Sequence, residues 1–292
     1  MQALDYQAPA TLDQAVAILS EHGASARILA GGTDLIIQHR ERRRQVGVMV
    51  DVKAIPELTA MGWTASGGLR LGAAVACIRI YRDPEVGRRY PALIDSASLI
   101  GGMQIQSRAS IGGNLCNSSP AADSIPTLIA LGAVCHIAGP RGQRTIPVEQ
   151  FCTGPGANVL EADELLVALE LPQPAARSGA AFERFIPRNE MDIAVVNAAA
   201  SVVLSADGGT FEAARVAVGA VAPTPLHVAA ADAALAGKPV SAATIAAAAD
   251  AVRAAARPIT DMRGSTAQRR HLAGVLATRV LNTAVERAKG SR

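Results

Sequence analysis

Apolar residues in the first part of the chain fall into short runs that are separated by glycine and polar turns. Runs of about four to eight residues favour strands, and apolar residues repeated every three or four positions favour helices. Thr11 and Gln14 form a capping-box pattern for a helix that ends at Gly23. The pattern then predicts, in order, a strand at 27–30, the start of a helix at 35–40, a strand at 46–52, and a hairpin of strands at 61–65 and 69–73. These short elements predict a strand-rich α+β domain.

The middle of the chain continues this alternation up to a proline-rich segment. The pattern predicts helices at 90–100 and 121–131, a hairpin of strands at 134–138 and 143–146, and a strand at 165–171. Residues 172–179 then have the composition of a linker, with two prolines and a glycine. We therefore predict one domain at 1–175 and a second domain at 176–292.

The second domain has a different pattern from the first. Two strands are predicted at 194–204 and 211–221, on either side of an Asp-Gly-Gly turn. Three alanine-rich helices are predicted after them, at 227–236, 242–256 and 266–287. This order of elements predicts a small antiparallel sheet covered by a helical layer.

Two glycine pairs are the strongest candidates for a ligand site. The first lies between the strand at 27–30 and the helix at 35–40, in the sequence Ile-Leu-Ala-Gly-Gly-Thr-Asp-Leu. Because Gly31 and Gly32 have no side chain, a ligand can approach the backbone, and successive N–H groups near a helix N-terminus attract an anion. A strand, a glycine turn and a helix in this order predict a site for a diphosphate.

The second pair is Gly112-Gly113, in the sequence Ser-Ile-Gly-Gly-Asn-Leu, and it repeats this chemistry in a predicted loop. Asp123 follows it, near the start of the helix predicted at 121–131. The Asp123 carboxylate either complements the dipole of that helix or accepts a hydrogen bond from a hydroxyl of a nucleotide or ribityl chain. Neither pair has the G-x-G-x-x-G or G-x-x-x-x-G-K-[ST] spacing, which disfavours an ordinary NAD dehydrogenase and a nucleotide kinase.

Charge and composition limit the classes of partner and the cellular compartment that we expect for this protein. The chain has 292 residues, of which 28 are basic and 25 acidic, so its net charge is only +3. Aromatic residues make up 3% of it, which leaves few platforms for stacking bases. We therefore expect no nucleic-acid partner, no integral membrane span and a cytoplasmic protein. The densest basic run, at 40–44, is interpreted mainly as the solvated face of the helix after the first glycine pair, with an interaction patch as the minor alternative.

Three segments in a fixed order point to a family. They are Ala-Gly-Gly-Thr-Asp-Leu at 30–35, Ser-Ile-Gly-Gly-Asn-Leu at 110–115 with Pro-Ala-Ala-Asp at 120–123, and Glu-Arg-Phe-Ile-Pro-Arg-Asn-Glu-Met-Asp-Ile-Ala at 183–194. Together they closely resemble the FAD-binding medium subunit of the molybdenum hydroxylases, the family of xanthine dehydrogenase and aerobic carbon monoxide dehydrogenase. The resemblance covers the whole chain, and three ordered matches are far more specific than one.

The resemblance implies a fold and a set of cofactor contacts. The first domain is expected to be a two-part FAD-binding domain of the vanillyl-alcohol oxidase and p-cresol methylhydroxylase type, with FAD between it and the C-terminal domain. Asp123 matches the family's acidic ligand to the cofactor, and Leu166 and Arg184 match an apolar side chain and a cation near the flavin. Ile100 falls where some relatives place an aromatic residue against the adenine. The implied FAD contacts are Ile28, Leu29, Ala30, Gly31, Gly32, Thr33, Asp34, Leu35, Ile100, Ser110, Ile111, Gly112, Gly113, Asn114, Asp123, Leu166 and Arg184.

The resemblance also implies a division of labour among subunits. A large partner would carry the molybdenum cofactor and hydroxylate the substrate, and a small partner would carry two 2Fe-2S clusters. This chain would take the electrons onto FAD and deliver them to an external acceptor, as part of a flavoprotein oxidoreductase. The expected assembly is a dimer of heterotrimers.

The chain's own cysteines and histidines agree with that role. The four cysteines have no C-x-x-C spacing and no histidine at ligand spacing, so we expect no zinc and no iron–sulfur cluster in this chain. None of the five histidines lies in a glycine segment, which favours noncovalent FAD. We find no motif for a catalytic acid, base or nucleophile, and the flavin would supply the redox chemistry.

Two other functions remain open from the residues alone. The first is a self-contained flavin oxidase or reductase of the same fold, which would need acid or base residues over the flavin. The second is a nucleotide-binding scaffold without redox chemistry. Copurification with a molybdenum subunit separates the first alternative from the family role, and a colourless protein that binds ADP but not FAD would indicate the second.

Overall fold

The chain begins with a small parallel sheet in the computed structural model, which describes residues 4–290. Its strands lie in the order β1-β3-β2. The Thr11 side chain accepts a hydrogen bond from the Gln14 N–H, as the capping pattern predicts. The elements are β1 (Asp5–Gln7), α1 (Leu12–His22), a 3₁₀ turn (Gly23–Ser25), β2 (Ala26–Leu29), α2 (Leu35–Arg40) and β3 (Val48–Asp51).

A five-stranded antiparallel sheet follows, in the order β4-β5-β10-β6-β7. Its central strand β10 is almost wholly buried, as its apolar sequence, interrupted only by Glu170, predicts. The strands are β4 (Met61–Trp63), β5 (Leu69–Gly72), β6 (Val134–Gly139), β7 (Gly142–Pro147) and β10 (Leu165–Leu171), with a separate pair formed by β8 (Cys152–Gly154) and β9 (Ala157–Asn158). Both parts of the first domain are therefore α+β, as expected.

Short helices connect the strands of the first domain. Leu115 of α8, together with Ile125 and Leu128 of α9, is fully buried against the five-stranded sheet. The connecting elements are α3 (Pro56–Thr59), α4 (Cys77–Tyr81), α5 (Pro84–Arg89), α6 (Pro91–Ala97), α7 (Met103–Gln106), α8 (Ile111–Asn117), α9 (Ser124–Ala130) and a 3₁₀ turn (Val148–Gln150). This packing fixes the position of the second glycine pair relative to the sheet.

The C-terminal domain is an antiparallel sheet with helices on it, which confirms the predicted architecture. Helix α12 packs on β11 and β12 so closely that a Cβ atom at Gly179 would lie 2.1 Å from the Ala284 carbonyl oxygen. The elements are β11 (Ser178–Phe185), β12 (Val196–Leu204), β13 (Phe211–Gly219), β14 (Leu226–His227), α10 (Ala229–Leu235), α11 (Ala242–Ala255) and α12 (Thr266–Gly290).

Several local predictions were wrong. The second glycine pair lies in the first turn of helix α8, not in a loop. Strand β11 was not predicted, and it begins inside the segment assigned as a linker. The helix expected at 90–100 is shorter than predicted: only α6 lies in this range, and the separate helix α5 ends just before it. Helix α2 ends at Arg40, so the rest of the basic run lies in the turn beyond the helix.

Candidate cofactor site

The two glycine pairs border one cleft, which has about 1060 Å³ of empty space when the open solvent at its mouth is included. The cleft is lined by residues from β2, α2 and α8, and by apolar residues of β10 and of the segment before α7. Most of the predicted contacts line it: Ile28, Ala30, Gly31, Gly32, Thr33, Asp34, Leu35, Ile100, Ser110, Gly112, Gly113, Asn114 and Leu166.

The first glycine turn is packed against the chain that leads into the second pair. A Cβ atom at Gly31 would lie 2.1 Å from the Arg108 carbonyl oxygen and 2.9 Å from the Ala109 nitrogen. Gly32 has a φ of +73°, a left-handed conformation that side chains other than glycine rarely adopt. The glycines therefore bring two distant segments together as well as leaving the backbone open to a ligand.

The first glycine turn and the two residues after it present a row of backbone N–H groups. Within residues 4–290, the backbone N–H groups of Gly31–Asp34 have no hydrogen-bond acceptor. The Lys53 ammonium donates to the Ala30 carbonyl oxygen at 3.0 Å and to Asp51 Oδ1 at 2.6 Å. Because a trans peptide places its C=O and N–H on opposite sides, this contact points the Gly31 N–H away from Lys53. Free amides at a cavity wall form a site for an anion.

The second glycine pair is held by the start of helix α8. Ser110 caps the helix, and its Oγ accepts a hydrogen bond from the Gly113 N–H at 3.0 Å. A Cβ atom at Gly112 would lie 2.4 Å from the Ala73 carbonyl oxygen, so this glycine is required by packing. At Gly113 the same atom would meet only Ser110 Oγ, at 3.0 Å, and would otherwise extend into open space. Gly113 is therefore the member of this pair that leaves room for a ligand.

A buried ion pair joins the two domains beside the cleft. Arg184 of β11 donates to Asp123 Oδ2 at 2.5 Å, and the two side chains are only 6% and 11% exposed. Burial raises the pKa of Asp123 to about 6, although the Arg184 guanidinium opposes this rise. The neighbouring Ser124 hydroxyl donates to Asn114 Oδ1 at 2.6 Å. The pair is thus connected to a residue that lines the cleft.

The comparisons with known proteins match both domains. The model of the FAD binding domain in molybdopterin dehydrogenase matches residues 2–174, and that of the CO dehydrogenase flavoprotein C-terminal domain matches residues 181–284. The chain belongs to the FAD-binding medium subunits of the xanthine dehydrogenase and carbon monoxide dehydrogenase family. It is therefore a flavoprotein subunit of a multi-subunit oxidoreductase.

Individual relatives of this medium subunit share its full length. The xanthine dehydrogenase FAD-binding subunit of Escherichia coli O157:H7 is 36% identical, over 98% of this chain and 97% of that one. The carbon monoxide dehydrogenase medium chain of Hydrogenophaga pseudoflava is 33% identical, over 96% of each chain. A solved structure of carbon monoxide dehydrogenase from H. pseudoflava, which lacks the Mo-pyranopterin moiety, superposes with a TM-score of 0.93 at 35% identity over 98% of each chain.

Four predicted contacts of the medium subunit do not line the cleft. Leu29 is packed in a small core cluster with Val46 and Met49, and Ile111 is fully buried in the main core of the first domain. Asp123 and Arg184 form the ion pair described above. The Arg184 side chain is only 6% exposed, so it is not a surface arginine of its strand.

Other cleft residues of the medium subunit were missed by the sequence analysis. Arg27, Gln38, Arg44 and Asn117 contribute polar groups, and Leu160 and Leu165 add apolar surface. Arg27 is the first residue of the strand predicted at 27–30, a signal that was present in the sequence. Arg44 belongs to the basic run that was assigned to solvent, and only the turn after α2 brings it back to the cleft.

The part of the medium subunit that the structure describes has neither a metal-binding cluster nor a membrane-spanning helix. No group of three His, Cys, Asp or Glu residues in that part is placed to hold a metal ion. No helix between residues 4 and 290 is both long and apolar enough to cross a membrane. Burial raises the pKa of the Cys116 thiol at the cleft to about 12, which keeps this thiol protonated at neutral pH.

Proposed function

We propose that this medium subunit binds FAD noncovalently in the cleft between its glycine pairs and passes electrons from 2Fe-2S clusters of a partner subunit to an external acceptor. The main observation in favour is the row of four amides at Gly31–Asp34 that have no acceptor within residues 4–290. Neutral donors that converge on a cavity wall suit a diphosphate, which offers several acceptor oxygens. The bound flavin would supply the redox chemistry.

The rest of the cleft fits the other parts of this cofactor. Ile28, Ile100, Leu160, Leu165 and Leu166 give it apolar surface, which suits the ring systems of FAD. Gly113 leaves the backbone open opposite the first turn. We keep as proposed contacts the predicted residues that line the cleft, and the contacts from Leu29, Ile111, Asp123 and Arg184 stay predictions.

We also propose the assembly that the family resemblance implies. The partners would be a large subunit with the molybdenum cofactor and a small subunit with 2Fe-2S clusters, in a cytoplasmic dimer of heterotrimers. The full-length match to a chain named the medium chain of carbon monoxide dehydrogenase supports this division. A self-contained flavin oxidase is not favoured, because the full-length relatives are named as subunits or chains of larger enzymes.

The flavin proposal is tested on the purified full-length chain. Its visible spectrum should show an oxidised flavin, and acid precipitation should release FAD into the supernatant because the binding is noncovalent. Release of FMN, or flavin that stays with the pellet, would contradict the proposal. A chain that stays colourless after incubation with FAD, both alone and in its native complex, would contradict it as well.

The electron-transfer proposal is tested on the native complex. The chain should copurify with two other polypeptides, one containing molybdenum and one giving 2Fe-2S signals in electron paramagnetic resonance. When the substrate of the complex is added, the flavin absorbance should bleach in the intact complex and stay unchanged in the isolated chain. Bleaching of the isolated chain by the same substrate would favour the self-contained oxidase instead.

A further inference from the structure

Among residues 4–290, two arginines that line the cleft have no carboxylate partner. Arg27 lies on β2 and Arg44 follows α2, and both border the same cleft as the amides of Gly31–Asp34. Within the 4–290 range, neither guanidinium forms an ion pair with an Asp or Glu side chain. By contrast, the neighbouring Arg43 pairs with Glu41 at 3.0 Å. The cleft therefore contains two guanidinium groups that form no direct ion pair with a carboxylate of residues 4–290, although the Asp34 carboxylate lines the same cleft.

The hydrogen bonds of these arginines leave donors unused. Arg27 donates through Nη1 to the Ala26 carbonyl at 2.7 Å, but its buried Nε has no acceptor in the part of the chain that is described. Arg44 Nη2 lies 3.5 Å from the Gly156 carbonyl oxygen, at the outer limit of a hydrogen bond. Buried donors without a partner are rare in native proteins, and a missing ion or ligand is one explanation.

The two guanidinium groups also affect each other. Burial, together with the positive charge of Arg44, lowers the pKa of Arg27 from its ordinary value. An anion that contacts both groups relieves this repulsion and accepts their free donors. The amides of the glycine turn carry no net charge, whereas a diphosphate in a dinucleotide carries two negative charges. Two arginines supply the opposite charge that the amides lack.

We propose that Arg27 and Arg44 form a cation pair that binds the diphosphate of the cofactor. This inference rests on the proposed function, since it requires an FAD-type ligand in the cleft. The amides orient the diphosphate, and the two guanidinium groups neutralise it and attract it over a distance that depends on salt. Riboflavin has the ring system without the phosphates, so the cation pair should not influence its binding.

The test is a set of titrations of the full-length chain with FAD, ADP and riboflavin at low and high salt. R27M and R44M should each raise the Kd for FAD and for ADP about tenfold or more, because each loses a charge-assisted contact. The Kd for riboflavin should stay unchanged, and the salt dependence of ADP binding should become weaker. R44K should recover most of the ADP affinity. R43M is the matched control, because Arg43 is exposed and does not line the cleft.

The outcomes separate this inference from the function on which it rests. If the wild-type chain binds FAD and neither R27M nor R44M changes the ADP affinity, the cation pair is wrong and the flavin site stands. Equal losses of riboflavin and ADP also contradict the pair, since they indicate a distorted cleft. R44M decides the matter if R27M does not fold, because Arg44 is only half-buried. If the wild-type chain binds neither FAD nor ADP, this result contradicts both the proposed function and the cation pair.

Discussion

The two glycine pairs have the same sequence but different structural reasons to be glycine. In the first pair, Gly31 is packed against the Arg108 carbonyl and Gly32 needs a φ of +73°. In the second pair, Gly112 is packed against the Ala73 backbone, whereas Gly113 is helical and almost free of neighbours. Three of these glycines are thus required by the chain itself, whereas neither packing against another segment nor a left-handed backbone requires Gly113.

A glycine pair in a sequence can therefore be required by packing between chain segments as well as by a ligand. Each pair was predicted to be an opening through which a ligand reaches the backbone, and Gly113 is the glycine whose surroundings leave room for one. The closest approaches, however, are between segments of the chain, because Gly31 lets the first turn meet the residues just before Ser110. Ligand access and the assembly of the site therefore depend on different glycines, and substitutions separate the two roles.

Gly31→Ala should have the largest effect. Its new methyl group would overlap the Arg108 carbonyl, which is backbone and cannot rotate away, so we expect a loss of about 3 kcal/mol in the free energy of unfolding. Urea unfolding of the FAD-free protein measures this free energy of unfolding. Gly62→Ala is the control, since nothing lies within 4 Å of that position. Equal stabilities of the two variants would contradict the tight contact between the glycine segments.

Gly112→Ala should come next, with a loss of about 2 kcal/mol. Overlap with the Ala73 backbone is partly offset, because alanine is favoured over glycine in a helix by roughly 1 kcal/mol. Gly87→Ala in helix α5 measures the helix preference of alanine alone, since the nearest atom to the new methyl group would be 3.9 Å away. The control should be neutral or more stable than wild type. A Gly112→Ala variant that behaves like this control would show that the α8 contact is loose.

Gly32→Ala should cost about 1.5 kcal/mol, mainly through its left-handed backbone. The nearest atoms belong to the flexible ends of Ile36 and Leu29, which can move. Gly208 has nearly the same φ, +71°, and no neighbour within 4 Å, so Gly208→Ala reports the backbone cost alone. Differential scanning calorimetry of both variants gives the difference. A much larger loss at Gly32 would mean that packing, not conformation, determines this glycine.

Gly113→Ala should have the smallest effect on stability and a clear effect on the cofactor. The strain against Ser110 Oγ and the helix preference of alanine nearly cancel, so we expect a change within about 0.5 kcal/mol. The methyl group extends into the cleft, and we expect the Kd for FAD to rise about tenfold or more. Fluorescence titration measures this Kd, with Gly87→Ala as control. Unchanged affinity would place the cofactor away from α8.

The sequence predicted those elements whose pattern depends on their own residues. Strand β10 was predicted with its observed bounds, because an apolar run between polar turns, here interrupted only by Glu170, is typical of a buried strand. Helix α2 was predicted to begin at Leu35, as it does, but its end at Arg40 was not predicted. The glycine segments were recognised by their composition, and the structure places both at one cleft.

Features that depend on tertiary contacts were missed. Strand β11 contains Ser, Gly and Ala in its first half, which are poor strand formers, and helix α12 packed on Gly179 explains why small residues occur there. Arg44 reaches the cleft only because the Arg43 and Arg44 N–H groups turn back to the Gln38 carbonyl. The Asp123–Arg184 pair joins segments 61 residues apart, a contact that no local pattern reveals.

The most direct test of the cofactor site is amide hydrogen exchange of the full-length chain with and without FAD. The amides of Gly31–Asp34 have no acceptor among residues 4–290, so they should exchange fast in the free protein. Bound FAD should slow their exchange strongly, since the diphosphate gives them acceptors. If FAD binds while these amides continue to exchange fast and another segment becomes protected, the diphosphate lies elsewhere and the account is wrong.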